Sequence, residues 1–341
     1  MTGVTGAADT KGRTQTESPA ESSRGSGRRT GGGPGAAAAR ATAVPDPTAL
    51  HGTAVEHGAA VGGTPAGGAP VDGTAAGPEH ASPEVPHPAR MYDYYLGGRD
   101  HFEADARAAE AVAAAIPSIP AEARANRDFM ARATRWLAAE RGVRQFLDIG
   151  SGLPTEPGLH QVAQAVSPEA KVVYSDRDPF VLRHARAMLR GTAEGSTAYV
   201  RADVTDPESI LDAPGLSDTI DLGRPVALSL NAVVHFVPDE QHPYDIVRTL
   251  LGALPAGSHL VLTHTTADFR GRARRTATEP RTWGCPPLRP RTRREVARFF
   301  DGLELADPGL VLPHRWRPSR ETPADLSGAD VPSYAGVARK P

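Results

Sequence analysis

The stretch FLDIGSGLPT, residues 146–155, decides how this chain is read. A short apolar run carries an acid, Asp148, and then breaks into two glycines one residue apart, Gly150 and Gly152. An apolar run bounded by glycine reads as a strand entering a turn. Glycine there permits backbone angles, and a closeness of ligand approach, that a side chain would block. The text on either side decides whether the turn has a ligand and of what kind.

Upstream, ANRDFMARATRWLAAERGV places Phe129, Ala133, Trp136 and Leu137 at helical spacing, and Gly142 supplies the stop. Downstream, helices and strands alternate. GLHQVAQAV sets Leu159, Val162, Ala163 and Val166 on one helical face, and KVVYSD is a second strand. Another helix opens at Pro179 with Asp178 as its N-cap and buries Val181, Leu182 and Ala185. TAYVRAD, PVALSLNAVVHF and HLVLTHT read as three more strands, with the helix YDIVRTLLGAL between the last two. RREVARFFDGL is a final helix, and ADPGLVLP and YAGVARK are expected to pair antiparallel at the sheet edge. Strand and helix in repeated alternation mean an α/β fold with a parallel sheet.

Composition limits where that fold lies. The chain has 341 residues, of which 39% are hydrophobic and 5% aromatic, low for a fully packed chain of this length. From Met1 to Arg90 there is no Phe, Trp, Tyr or Ile, one leucine, and 17 of the 35 glycines. A segment of that kind cannot bury a core, so residues 1–85 are expected to be a disordered Gly/Ala/Pro/Thr-rich tail and residues 86–341 the folded domain. A net charge of -2 offers no global attraction to nucleic acid or anionic membrane. The single cysteine, Cys285, fits a reducing cytoplasm, and no apolar run approaches the length of a membrane span.

Three acids sit where a nucleotide-like ligand would meet them. In an open parallel sheet, ligands bind beyond the carboxyl ends of the strands, near the first glycine turn. The dinucleotide fingerprint G-x-G-x-x-G needs a third glycine, but here Thr155 holds that place and Pro154 and Pro157 crowd the turn. Asp148 would repel a pyrophosphate, whereas it suits a cationic sulfonium ligand with an ammonium group, as in S-adenosylmethionine (SAM). Asp176 ends the second strand, where an acid can accept from both ribose hydroxyls, a feature shared by NAD and SAM sites. Asp203 ends the third strand as an acceptor for an adenine amino group or as a turn residue. An NAD(P)-dependent oxidoreductase and a non-catalytic SAM-binding module stay open as alternatives.

The joint pattern of D-x-G-x-G with acids ending the second and third strands resembles the Rossmann-like SAM-dependent methyltransferases. More narrowly, ARMYDYYLGGRDHF, RANRDF, QFLDIGSGLPT, VVYSDRDP, HFVPDE and YAGVARK, in order from about Pro86 to Lys340, are similar to an actinobacterial family of these enzymes. The resemblance implies a seven-stranded, mostly parallel sheet with helices on both faces and the last strand antiparallel. It also implies SAM as cofactor, with contacts from Asp148, Gly150, Gly152, Asp176 and Asp203. Tyr92, Tyr94, Tyr95, Gly97, Gly98 and Arg99 would form a lid, with Gly97 and Gly98 as a flexible break; by residues alone the stretch also reads as an aromatic-rich docking helix. Residues 268–294 follow the family poorly, which leaves the substrate open; a small molecule is expected rather than nucleic acid.

Chemistry beyond the cofactor is thinly marked. His235 follows the fourth strand and is a candidate general base, His264 ends the fifth, and Asn231 is placed to hydrogen-bond the cofactor or substrate. His160 is expected to face solvent. No cysteine–histidine cluster suggests a metal, and no G-x-S-x-G suggests a serine nucleophile. Nine arginines between Arg270 and Arg294 read as a solvated loop, as an attraction for an acidic or phosphorylated substrate or, with Trp283 as a stacking surface, as a nucleic-acid contact.

Overall fold

The computed structural model describes residues 82–188, 191–269 and 288–341. The N-terminal tail through residue 81, most of the arginine-rich run, Trp283 and Cys285 lie outside the described residues. The chain opens with three helices, α1 (Pro88–Tyr95), α2 (Glu103–Ala115) and α3 (Ile119–Glu140). There follow β1 (Gln145–Ile149), α4 (Leu159–Val166), β2 (Lys171–Asp176), α5 (Pro179–Met188) and β3 (Ser196–Arg201). Two short helices, α6 (Pro207–Leu211) and α7 (Pro214–Ser217), precede β4 (Ala227–Leu230), α8 (Pro243–Gly252) and β5 (His259–Thr265). The chain closes with α9 (Arg293–Ala297), β6 (Glu304–Leu305) and β7 (Ser333–Arg339).

Seven strands form one sheet in the order β3-β2-β1-β4-β5-β7-β6, with β7 antiparallel to both its neighbours. The strand order reverses at β1, between β2 and β4, which puts a crevice beyond the end of β1. Successive strand residues face opposite ways, and the sequence uses both faces. Leu147, Ile149, Val173, Leu228 and Leu262 share a core with Ile246 and Leu250 of α8 and with Phe299. Phe146, Val172, Tyr174, Ala227 and Val261 share another with Phe129 and Leu137 of α3 and with Trp316. Fully burying one such side chain contributes roughly 1.5–3 kcal/mol, so this two-sided packing sets the layer order.

Helix ends follow local chemistry. The Asp178 carboxylate accepts from Phe180 N at 2.9 Å and caps α5, as expected, and Gly142 turns the chain after α3 with φ of 66°. Two strand expectations need correction. PVALSLNAVVHF is paired only over Ala227–Leu230; the chain then turns at Ala232, with φ of 55°, and coils into a three-residue 3₁₀ turn at Val234–Phe236. Its later valines serve packing: Val234 enters the α8 core, and Val233 packs at that core's edge. Likewise β6 is Glu304–Leu305, and ADPGLVLP contributes only an isolated bridge, Val311 to Ala335. Among the described residues no helix is long and apolar enough to cross a membrane.

Candidate functional site

Strand parity builds the site. In register, Asp148 lies between Tyr174 of β2 and Ser229 of β4, so all three project to the α3 side of the sheet. Asp148 is buried, and burial pushes its carboxyl up to about 6, against the hydrogen bond with Ser229 and the charge of Arg127. Beyond the strand end, Asn231 Nδ2 donates to Ser229 Oγ at 2.8 Å. Its Oδ1 is buried without a hydrogen-bond partner, the kind of orphan that demands an explanation. The order Asp148, Ser229, Asn231 is thus a polar ladder along the mouth of the crevice.

The glycine turn folds around Asp176. Gly150 N and Ser151 N both donate to Ser175 O, at 2.8 and 3.2 Å. Gly152 N donates to Asp176 Oδ2 at 2.9 Å and Asp178 N to Asp176 Oδ1 at 3.0 Å. Burial raises the Asp176 carboxyl, and these two backbone bonds oppose the rise. Each oxygen keeps a second lone pair for an outside donor. Asp203 stands apart: half-buried, it accepts from Thr205 N and Oγ1 and pairs with Arg177 at 3.3 Å, and these contacts outweigh its desolvation and lower its pKa.

Helix α3 supplies residues that sequence reading missed. Arg127 Nη2 donates to Thr155 O and Pro157 O, both at 2.8 Å, fastening the loop after the glycines, and its charge acts on Asp148. Asn126 donates to Tyr92 Oη at 2.8 Å and accepts from Thr263 Oγ1 at 2.6 Å; Thr263 Oγ1 in turn accepts from Ala232 N at 2.8 Å. A continuous chain of hydrogen bonds therefore runs from the leader helix through α3 and β5 to the turn after β4. Asn126 had a signal, since it interrupts the apolar face formed by Ala123, Met130 and Ala133.

The leader reads differently in structure. It is helix α1, and Ala89 lies under Gly152: a β-carbon built there would sit 3.8 Å from Ala89 Cβ. Tyr92 donates to Ala123 O at 3.0 Å, and burial pushes its hydroxyl up to about 12. Tyr94 hydrogen-bonds Glu110 on α2, and Tyr94 and Tyr95 pack with Met91 against Ala108 and Val112. Gly97 and Gly98 take defined places in the turn after α1. Gly97, with φ of 79°, ends the helix, and a β-carbon on Gly98 would meet Asp93 Oδ1 at 1.9 Å. That carboxylate accepts from Asp100 N at 3.0 Å and lies 2.8 Å from His101 Nδ1. Arg90, fully buried, ties the leader down: it bonds Asp105 at 2.8 Å and Asp178 at 3.3 Å, and its guanidinium lies over the rings of Phe102 and Phe180.

The histidines are not poised as bases. His235 is buried, and desolvation with the charge of Arg291 brings it down to about 3. His264 Nδ1 lies 2.7 Å from Thr265 O and Nε2 lies 2.9 Å from Arg291, so both ring nitrogens are used. His160 does not face solvent; it is buried on α4 with Nδ1 2.8 Å from Tyr174 Oη. Nor is the described end of the arginine-rich run a solvated loop throughout. Arg291 is fully buried and donates to Val234 O, Val237 O and Asp239 Oδ1 at 3.3, 3.0 and 2.6 Å, pinning the turn after β4.

Comparison with known proteins identifies the family. Residues 75–341 match the model of the family described as S-adenosyl methyltransferase. A DUF574 family protein from Streptomyces avermitilis MA-4680 is similar at 50% identity, with a TM-score of 0.73, over 76% of this chain and 98% of that one. A Thermobifida fusca YX protein described as a candidate methyltransferase is similar at 38% identity, with a TM-score of 0.69, over 75% of this chain and 96% of that one. No curated protein sequence matches the chain. The chain belongs to the S-adenosyl methyltransferase family, enzymes that transfer a methyl group from S-adenosylmethionine, here on a Rossmann-like α/β fold.

Proposed function

We propose that the cofactor's amino-acid end is held by Asp148, the Gly150–Gly152 turn and Asn231, that its ribose meets Asp176, and that its adenine lies toward Asp203. The observation that carries this reading is the polar ladder ending in the unpartnered Asn231 Oδ1. A ligand ammonium supplies the missing donor to that oxygen and offsets the cost of ionising Asp148 in a buried place. A pyrophosphate would do neither. Helix α1 acts as a cover over the glycine turn, supported by the closeness of Ala89 to Gly152. In this reading Tyr92 and Asn126 hold the cover in place rather than touch the reacting atoms.

Bound SAM supplies a methyl group on a sulfonium, whose departure leaves a neutral thioether. The protein therefore has no leaving anion to stabilise, and its residues contribute by orientation and by excluding water. The low basicity of His235 and His264 fits that division of labour, and neither is assigned a proton-transfer role. The acceptor is proposed to be a small molecule, the catalytic domain to begin at residue 86 after a tail, and the setting to be the cytoplasm, the last resting on the lone Cys285. Calorimetric titration with SAM, S-adenosylhomocysteine and NADH tests the cofactor assignment: the first two are expected to bind and NADH not to. Binding of NADH with neither adenosyl ligand bound would sink it.

A further inference from the structure

Beyond the strand ends, an open depression of about 700 Å³ lies between the end of α1 and the start of α3, with room for a small organic ligand. Tyr94, Tyr95, Gly97, Arg99, His101 and Arg124 line it. Its aromatic wall is continuous: the Tyr94 and Tyr95 rings meet edge to face at 6.2 Å, and Tyr94 and His101 at 5.3 Å. Position links the depression to the cofactor crevice. Arg124 lies three residues before Arg127 on α3, or about 4.5 Å further along the axis, away from the sheet. Between them, Ala123 O and Asn126 hold Tyr92 of α1.

Charge in this depression is unbalanced. No acid is among the lining residues; of those nearby, Asp93 is engaged with Asp100 N and His101, and Glu110 with the Tyr94 hydroxyl at 3.0 Å. The exposed guanidinium groups of Arg99 and Arg124 have no ion pair or hydrogen bond among the described residues. Two arginines lining one depression offer an anion donors from both sides, and guanidinium matches a carboxylate through paired, parallel hydrogen bonds. Tyrosine faces beside them suit a flat, apolar body.

Resting on the methyltransferase reading above, we infer that this depression is the acceptor site and that it selects an aromatic small molecule carrying a carboxylate, with Arg99 and Arg124 as the specificity-determining residues. The carboxylate anchors the molecule at the arginines, and its ring lies along Tyr94 and Tyr95. Neither arginine is needed to hold the cofactor.

The test uses the full chain, saturated with S-adenosylhomocysteine, titrated with 4-hydroxybenzoate and with the neutral analogue 4-hydroxybenzamide. The acid is expected to bind at least tenfold more tightly than the amide. Arg99→Gln/Arg124→Gln is expected to abolish that preference while leaving S-adenosylhomocysteine affinity within twofold, and Arg99→Lys/Arg124→Lys to keep part of it. Equal binding of acid and amide, no binding of the acid, or a preference that survives the double glutamine variant would each overturn the inference. A separate titration with S-adenosylhomocysteine alone keeps the two readings distinguishable. If that ligand fails while the arginine-dependent preference for the acid holds, the cofactor assignment falls and the anion site stands.

Discussion

At the end of β1 the chain uses Gly150 and Gly152 to bring separate segments together, while after α1 it uses Gly97 and Gly98 to wrap one turn around its own side chain. A β-carbon on Gly150 would come within 2.4 Å of Val233 Cγ2, on the turn after β4, and φ there is 69°. One on Gly98 would strike first the Asp93 carboxylate, at a position with no left-handed φ. The first pair fixes the cradle, the second the shape of its cover. In each pair one glycine answers crowding, Gly150 and Gly98, while its companion, Gly152 or Gly97, answers a left-handed φ.

The largest expected effect tests whether cover and cradle are one cooperative unit. Arg90→Leu leaves Asp105 and Asp178 buried without their cation and is expected to cost about 3–5 kcal/mol in urea unfolding. A leader that merely flaps would show an unchanged global midpoint. Next, Gly150→Ala combines a steric clash with a strained φ and is expected to cost about 2–4 kcal/mol and to weaken S-adenosylhomocysteine binding at least tenfold. An alanine tolerated at both readouts would remove the distinction between the two turns.

Gly98→Ala is expected to cost less, about 1–2 kcal/mol, because the clash is with a side chain that can swing away at the expense of His101. In an Asp93→Ala background the same change should be nearly neutral, and a double-mutant cycle by thermal melting measures the coupling. The last effect has the opposite sign. Burial holds Asp148 near 6, above the ordinary value, so between about pH 4 and 6 the folded chain binds the proton more tightly than the unfolded one. Stability therefore falls as pH rises through that window. Asp148→Asn removes the fall: it should stabilise the ligand-free protein by about 1–3 kcal/mol at pH 7.5, show no gain near pH 4, and bind S-adenosylhomocysteine more weakly. Melting curves at the two pH values check the first part and calorimetry the last.

Most of the sheet was legible because its strands carry their own pattern. Residues 145–149, 171–176 and 259–265 are apolar runs ended by turn residues, and their partners need not be known to recognise them. Residues 227–236 misled because a run of valines fits a strand and a packed turn alike; the positive φ at Ala232 has no mark in the sequence. The places of Asp148 inside β1, two residues before Gly150, and of Asp176 at the end of β2 were legible from the strand pattern. Asn126 shows in the sequence as a polar break in an apolar helix face, but its partner Thr263, 137 residues away, does not, and His160 was misread because the hydroxyl that satisfies it comes from Tyr174 on another element. The leader escaped a firm reading for a like reason. Its acids and arginine look solvent-loving one by one, and only the fold makes them mutual partners.

Helix α3 carries two arginines that act as fasteners. Arg127 closes on the carbonyls of Thr155 and Pro157, and Arg132 on those of Pro313 and Trp316, at 2.7–3.1 Å. A main-chain carbonyl is the same whatever residue bears it, so this attachment ignores the side chains of the loops it holds. Half-exposed or exposed positions such as Pro154, Thr155 and Glu156 can drift in sequence while the path of the chain at the crevice stays put. An enzyme built this way can explore new surfaces around its cradle without having to rediscover the cradle itself.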